Sequence, residues 1–109
     1  MHEIDKKNLK KFLLKENKDI KILDVGCGIG ENIELIKSWG YLNIYGTDIA
    51  PLMVEECKLK NLNVVLDQDL TEHNFDLLLF NHVIEHIDYP NIIDFFEHYF
   101  SKIKENGKI

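Results

Sequence analysis

Apolar and polar positions along the chain change period several times, and each change marks an element. Over residues 3–17, Ile4, Leu9, Phe12 and Leu13 recur at helical spacing among lysines, which predicts an amphipathic helix. Residues 20–25 form a short apolar run ending at a glycine cluster, the pattern of a buried strand. From Glu31 to Ser38, Ile33, Leu35 and Ile36 mark a helix that stops near Gly40. A second strand is expected over 41–47. Pro51 then opens a helix carrying Leu52, Val54 and Cys57. A third strand is expected over 63–66. The run FDLLLF at 75–80 is apolar nearly throughout, which suits a fourth strand covered on both faces. Pro90 opens a last helix with Ile92, Ile93, Phe96, Tyr99, Phe100 and Ile103 on its apolar face. Gly107 is expected to end a turn, with Lys108 and Ile109 starting a fifth strand.

Strands alternating with helices imply an α/β fold with a mainly parallel sheet and right-handed crossovers. In such sheets ligands bind beyond the C-terminal ends of the strands. The polar residues that follow strands are Asp24 with the loop to Gly30, Asp48, Asp69, and Asn81 with His82.

Composition narrows the classes. The 109 residues carry a net charge of -6, and all 13 basic residues are lysines. An acidic chain without arginine is a poor match to nucleic acid, so no nucleic-acid partner is expected. The lysines at 6, 7, 10 and 11 read as a solvated helix face. No apolar run approaches the roughly 20 residues that span a membrane, and the charged N-terminus does not read as a signal peptide. Cys27 and Cys57 fit no disulfide framework and read as reduced thiols. A cytoplasmic protein of one domain, 1–109, is the expectation.

The run ILDVGCGIG places Gly26, Gly28 and Gly30 directly after a strand. Glycine is needed where the chain turns tightly or a ligand must approach bare backbone. The spacing is GxGxG, tighter than the GxGxxG of dinucleotide folds, because position 31 is glutamate. Asp24 and Glu31 flank the loop. They would repel a pyrophosphate and favour a ligand with cationic groups. Asp48, 20 residues after Gly28 at the end of the second strand, suits a pair of ribose hydroxyls, with a helix cap as the competing role. Asp69 follows the third strand and is favoured for an adenine amino group, with Asp67 in competition and a plain turn aspartate as the alternative.

With these motifs in order, the chain resembles class I S-adenosylmethionine (SAM)-dependent methyltransferases over about residues 20–109. ILDVGCGIG resembles their first motif and YGTDIA their acidic second motif. FDLLLFNHVIEHI resembles the fourth-strand motif of the small-molecule, ubiquinone-biosynthesis-like (type 11) branch, and KENGKI the turn into the fifth strand. The resemblance implies a Rossmann-like three-layer sandwich with strand order 3-2-1-4-5, here without the family's terminal hairpin. It implies SAM as cofactor, with S-adenosylhomocysteine (SAH) as product and a small-molecule acceptor. Gly26, Cys27, Gly28 and Gly30 would line the methionine part, with Asp24 near its amino group. Asp48 and Ile49 would hold ribose and flank adenine, Asp69 and Leu70 would hold adenine, and Asn81 and His82 would border the methyl group. A homodimer through the incomplete sheet edge is a further expectation.

Methyl transfer from a sulfonium needs alignment above all, and a base only if the acceptor must lose a proton. His82, Glu85 and His86 are the candidates for that base. The same residues spell HxxEH, a zinc peptidase pattern. Against it, the stretch follows a strand, no convincing third ligand follows, and the glycine loop would go unexplained, so no metal is expected. A non-catalytic SAM-binding or interaction module is the other alternative.

Overall fold

The computed structural model describes residues 6–80 and 92–108. The elements in chain order are α1 (Lys6–Leu14), β1 (Ile22–Val25), α2 (Glu31–Ser38), β2 (Ile44–Asp48), α3 (Pro51–Leu59), β3 (Val64–Leu66), β4 (Phe75–Phe80), α4 (Ile92–Phe100) and β5 (Ile103–Lys108), with a 3-10 turn at Asp67–Asp69. All strand pairs are parallel and the order is β3-β2-β1-β4-β5, as expected for the α/β sandwich. The registers Val25↔Thr47 and Val25↔Phe80 bring the ends of β1, β2 and β4 level. A shared rim results, from which the glycine loop departs.

Strand alternation sends side chains to two cores. On one face Leu9 and Leu13 of α1, Ile33 and Ile36 of α2, and Val54 and Cys57 of α3 pack on Ile22, Ile44, Val64 and Leu77. On the other, Leu23, Val25, Leu70, Phe75 and Leu78 pack with Tyr99 of α4. Phe75 and Leu77 thus face opposite ways although two residues apart. The main-chain bonds explain it: Asp76 N and Leu77 N both donate to Lys21 O, at 2.8 and 3.2 Å. Two residues on β4 oppose one on β1, and such a bulge reverses the alternation.

Several boundaries differ from the sequence expectation, and Ile103, expected on the apolar face of the last helix, opens β5 instead. The second strand begins at Ile44, not at 41. Tyr41 is buried, but its hydroxyl donates to the Leu13 carbonyl and ties the turn after α2 to the end of α1. The first helix ends at Leu14, and Lys15 and Glu16 continue as a turn bonded back to Phe12 and Leu13. The fifth strand starts at Ile103 and contains Gly107, which therefore does not end a turn before it. Phe75 N bonds Lys102 O, so pairing starts as soon as α4 ends. The stretch from Ile103 to Lys108 is then matched to only Phe75 to Leu77, and a register irregularity absorbs the surplus. Among the described residues, β5 is an edge strand with no hairpin beside it.

Candidate cofactor site

The glycine loop is shaped by left-handed backbone. Gly26, Gly28 and Gly30 have φ of +74, +57 and +88°, a region costly for residues with a Cβ. Gly26 N and Cys27 N both donate to Thr47 O, at 2.8 and 3.0 Å, and Gly30 N returns to Cys27 O. The loop is therefore pinned to the end of β2 before α2 begins.

The glycines have different neighbours. A Cβ at Gly28 would meet no atom within 4 Å, so this residue faces open space. A Cβ at Gly30 would lie 2.4 Å from Leu62 Cδ1 and 3.2 Å from Cys57 Sγ. Gly30 thus lets the start of α2 approach α3. Gly46, within β2, plays a similar part: a Cβ there would lie 2.6 Å from Ile33 Cδ1 and 3.0 Å from Cys27 Sγ.

Asp48 meets the loop from β2. Its Oδ2 accepts from Gly28 N and its Oδ1 from Ala50 N, both at 2.9 Å. The helix-cap role is not what the structure shows, since the cap of α3 is Ala50 and no side chain bonds the helix start. Asp48 instead joins the glycine loop to the turn before α3, and it is only partly buried. Beside it Ile49 is 60% exposed and Ile29 39%. An open glycine, a partly buried carboxylate that accepts hydrogen bonds and two apolar side chains with exposed surface thus lie close together at the rim.

Asp24 is buried at the end of β1, and Cys27 is buried next to the loop. The Cys27 thiol is pushed well above its ordinary range, first by burial and then by the negative charge of Asp24, the Cys57 thiol and Asp48. Asp24 and Asp48 thus bring two carboxylates to this rim of the sheet.

Asp69 ends the 3-10 turn after β3, and Leu70 follows it. Leu70 is buried in the core under α4. Both residues line a cavity of about 360 Å³ with Tyr45, Lys58, Asn63 and Val65, and no glycine-loop residue takes part. Asp67 is on the other side of the 3-10 turn: together with Asp48 it raises the pKa of Tyr99, after the larger effect of burial. Asn81, His82, Glu85 and His86 lie outside the described residues. Among the described residues no cluster of three or more His, Cys, Asp or Glu is placed to hold a metal ion, and no helix is long and apolar enough to cross a membrane.

Three contacts that hold the loop, or the strand end to which it is pinned, escaped the sequence reading. Cys57 and Lys60 reach the carbonyls of Gly28 and Ile29 from α3 and its end. Tyr99 reaches Thr47, whose hydroxyl lies 2.8 Å from the Tyr99 hydroxyl in the core. Each spans 29 to 52 residues, and no local pattern announces such contacts.

Comparison with known proteins agrees with this geometry. A methyltransferase-domain family model matches residues 2–109. The malonyl-[acyl-carrier protein] O-methyltransferase 1 of Ilyobacter polytropus is 33% identical over 118 residues, covering 99% of this chain and 42% of its own. A crystal structure of a SAM-dependent methyltransferase from Archaeoglobus fulgidus superposes with a TM-score of 0.70 at 29% identity, over 90% of this chain and 46% of that one. A TehB-like SAM-dependent methyltransferase from Corynebacterium glutamicum shares the fold, with a TM-score of 0.78 at 21% identity over 90% of this chain and 56% of that one. The chain thus spans about half the length of these relatives. With residues 2–109 matched throughout, and the glycine loop and strand order in place, the chain belongs to the methyltransferase-domain family.

Proposed function

We propose that the chain binds SAM at the glycine-loop rim and serves methyl transfer to a small-molecule acceptor. The observation that carries this reading is the open face of Gly28 beside the Asp48 carboxylate, at the level ends of β1, β2 and β4. SAM, when bound, supplies a methyl group on a sulfonium whose leaving group is neutral.

The chain's own residues bind and orient. Gly26, Cys27 and Gly28 present bare backbone to the methionine part. Asp24 and Asp48 supply negative charge toward its cationic groups, and Asp48 accepts from the ribose hydroxyls. Ile49 offers an apolar surface to adenine. For the adenine amino group we favour Asp67 over Asp69, because Asp67 bears on Tyr99, whose hydroxyl reaches Thr47 near the end of β2, whereas Asp69 lines the cavity beside β3. Asn81 and His82 follow Phe80 in the chain, so we assign them to the border between the methyl group and the acceptor.

The domain match over residues 2–109 takes in positions 82–86, which favours a methyltransferase over an HxxEH peptidase. The acidic charge supports a small-molecule acceptor rather than nucleic acid. Pairing of β5 with a second copy is part of this proposal, and light scattering that stays monomeric over a concentration series would remove that part. The cytoplasm is the proposed location, on reduced thiols and an acidic, lysine-only charge.

Saturation-transfer NMR tests the cofactor reading. The adenine and ribose protons of SAH should receive saturation from the chain and those of NAD should not. Equal transfer to both, or none to SAH, contradicts it.

A further inference from the structure

The glycine loop is held from a helix that the family's first motif does not contain. Cys57 Sγ donates to Gly28 O at 3.2 Å, and Lys60 Nζ donates to Ile29 O at 2.9 Å. Cys27 Sγ approaches the same Gly28 carbonyl at 3.7 Å. Lys60 also pairs with Glu34 of α2 at 3.1 Å, so its ammonium bridges the loop, α2 and the end of α3. Cys57 lies in α3 and Lys60 caps its end three residues on, which puts both on one side of the helix. Two consecutive carbonyls of the loop are thus turned toward α3, while Gly28 N is turned toward Asp48.

This matters because a peptide unit next to glycine rotates at little steric cost. Without these donors, the peptides after Gly28 and Ile29 could turn, and the open face of Gly28 would lose its shape. We propose that Cys57 and Lys60 are positioning residues that act through the Gly28 and Ile29 carbonyls to keep the cofactor loop in its binding form. This inference rests on the proposed SAM site.

The residue types suit the task. Cys57 is fully buried, and a Cβ at Gly30 would lie only 3.2 Å from its sulfur, so this glycine leaves the thiol its room. Burial raises the pKa of the Cys57 thiol, which keeps it a protonated donor at neutral pH. Lys60 is partly exposed, so its flexible stem can span the gap while its charge stays near water.

The test is calorimetric titration with SAH of the full chain and four variants, with melting temperatures alongside. Cys57→Ala should bind SAH about three- to tenfold more weakly, the equivalent of one ordinary hydrogen bond. Cys57→Ser restores a donor and should return to within about twofold of wild type. Lys60→Met keeps the stem, loses the donor, and should weaken binding by about two- to fivefold. Val54→Ala, also in the buried face of α3, should lower the melting temperature and leave SAH affinity unchanged. That control separates a positioned loop from a merely stable helix. Equal affinity in wild type, Cys57→Ala and Lys60→Met overturns the proposal, as does a Val54→Ala loss as large as that of Cys57→Ala. If Cys57→Ala does not fold, Lys60→Met at its partly exposed position decides. Wild type that fails to bind SAH overturns the proposed function itself, and this inference with it.

Discussion

The two ends of the sheet are built on opposite electrostatic plans. At the N-terminal end, charge is neutralised. Lys21 pairs with Glu72 at 2.6 Å, donates to the His73 carbonyl at 2.7 Å and lies over the rings of Tyr45 and Phe75. Its backbone N–H bonds Asp76 Oδ2 at 2.7 Å. At the C-terminal end, negative charge accumulates instead: Asp24 and Asp48 both push up the Cys27 thiol. One end clamps β1 to β4, and the other offers an acidic, glycine-lined rim. The difference shows where stability and binding should separate under mutation.

The largest expected effect is a contrast between two glycines of one loop. Gly28→Ala places a Cβ in open space at φ +57°. Its local strain of about 1–2 kcal/mol falls where the ligand must approach, so SAH affinity should drop by about tenfold or more. Gly30→Ala drives a Cβ into Leu62. It should act mainly on stability, by about 1–3 kcal/mol, seen as a lowered melting temperature. Equal behaviour of the two variants would dissolve the contrast.

Tyr99→Phe comes next. It leaves the buried Thr47 hydroxyl without its Tyr99 partner and should cost about 1–2 kcal/mol in denaturant unfolding. The pH dependence follows from the same environment. Burial raises the folded-state pKa of both Cys27 and Tyr99 above their ordinary values of 9.0 and 10.0. The unfolded chain then loses these protons first. Stability should be intact below about pH 9 and decline above it, and Tyr99→Phe should remove the part that begins near pH 10. A melting temperature that is flat from pH 8 to 11 would contradict this.

A smaller effect sharpens the site. Asp67→Asn should weaken SAH binding by about three- to tenfold, the range of one ordinary hydrogen bond. Asp69→Asn should change it less than twofold, because Asp69 lines the cavity beside β3. The reverse ranking would move adenine to that cavity. The smallest effect belongs to the clamp. Lys21 lowers the pKa of Glu72, chiefly by its hydrogen bond, so this contribution is present above the ordinary value of 4.5 and fades as pH falls through the lowered one. Glu72→Gln should therefore slightly reduce the melting temperature at neutral pH and leave it unchanged in acid.

Much of this plan was legible in the chain. The Glu31–Ser38 helix and the FDLLLF strand fall where the periodicity and the apolar run put them. The glycine loop and Asp48 were identifiable because glycine at a strand end and an acid 20 residues later are local signals. Asp67 and Asp69 were harder to separate. They differ by two positions in a 3-10 turn, yet Asp69 lines the cavity beside β3 while Asp67 bears on Tyr99. The bulge at Asp76 was invisible, since FDLLLF is apolar on either alternation. Cys57 read as one more apolar position on α3, and only the packing of α3 against the loop shows what its thiol touches.

The most direct test of the central claim is calorimetric titration of the chain with SAH, repeated with Asp48→Ala and with NAD in place of SAH. The account predicts micromolar binding of SAH that Asp48→Ala abolishes, and no heat from NAD. A folded chain that ignores SAH, or that binds it equally well without the Asp48 carboxylate, would contradict it.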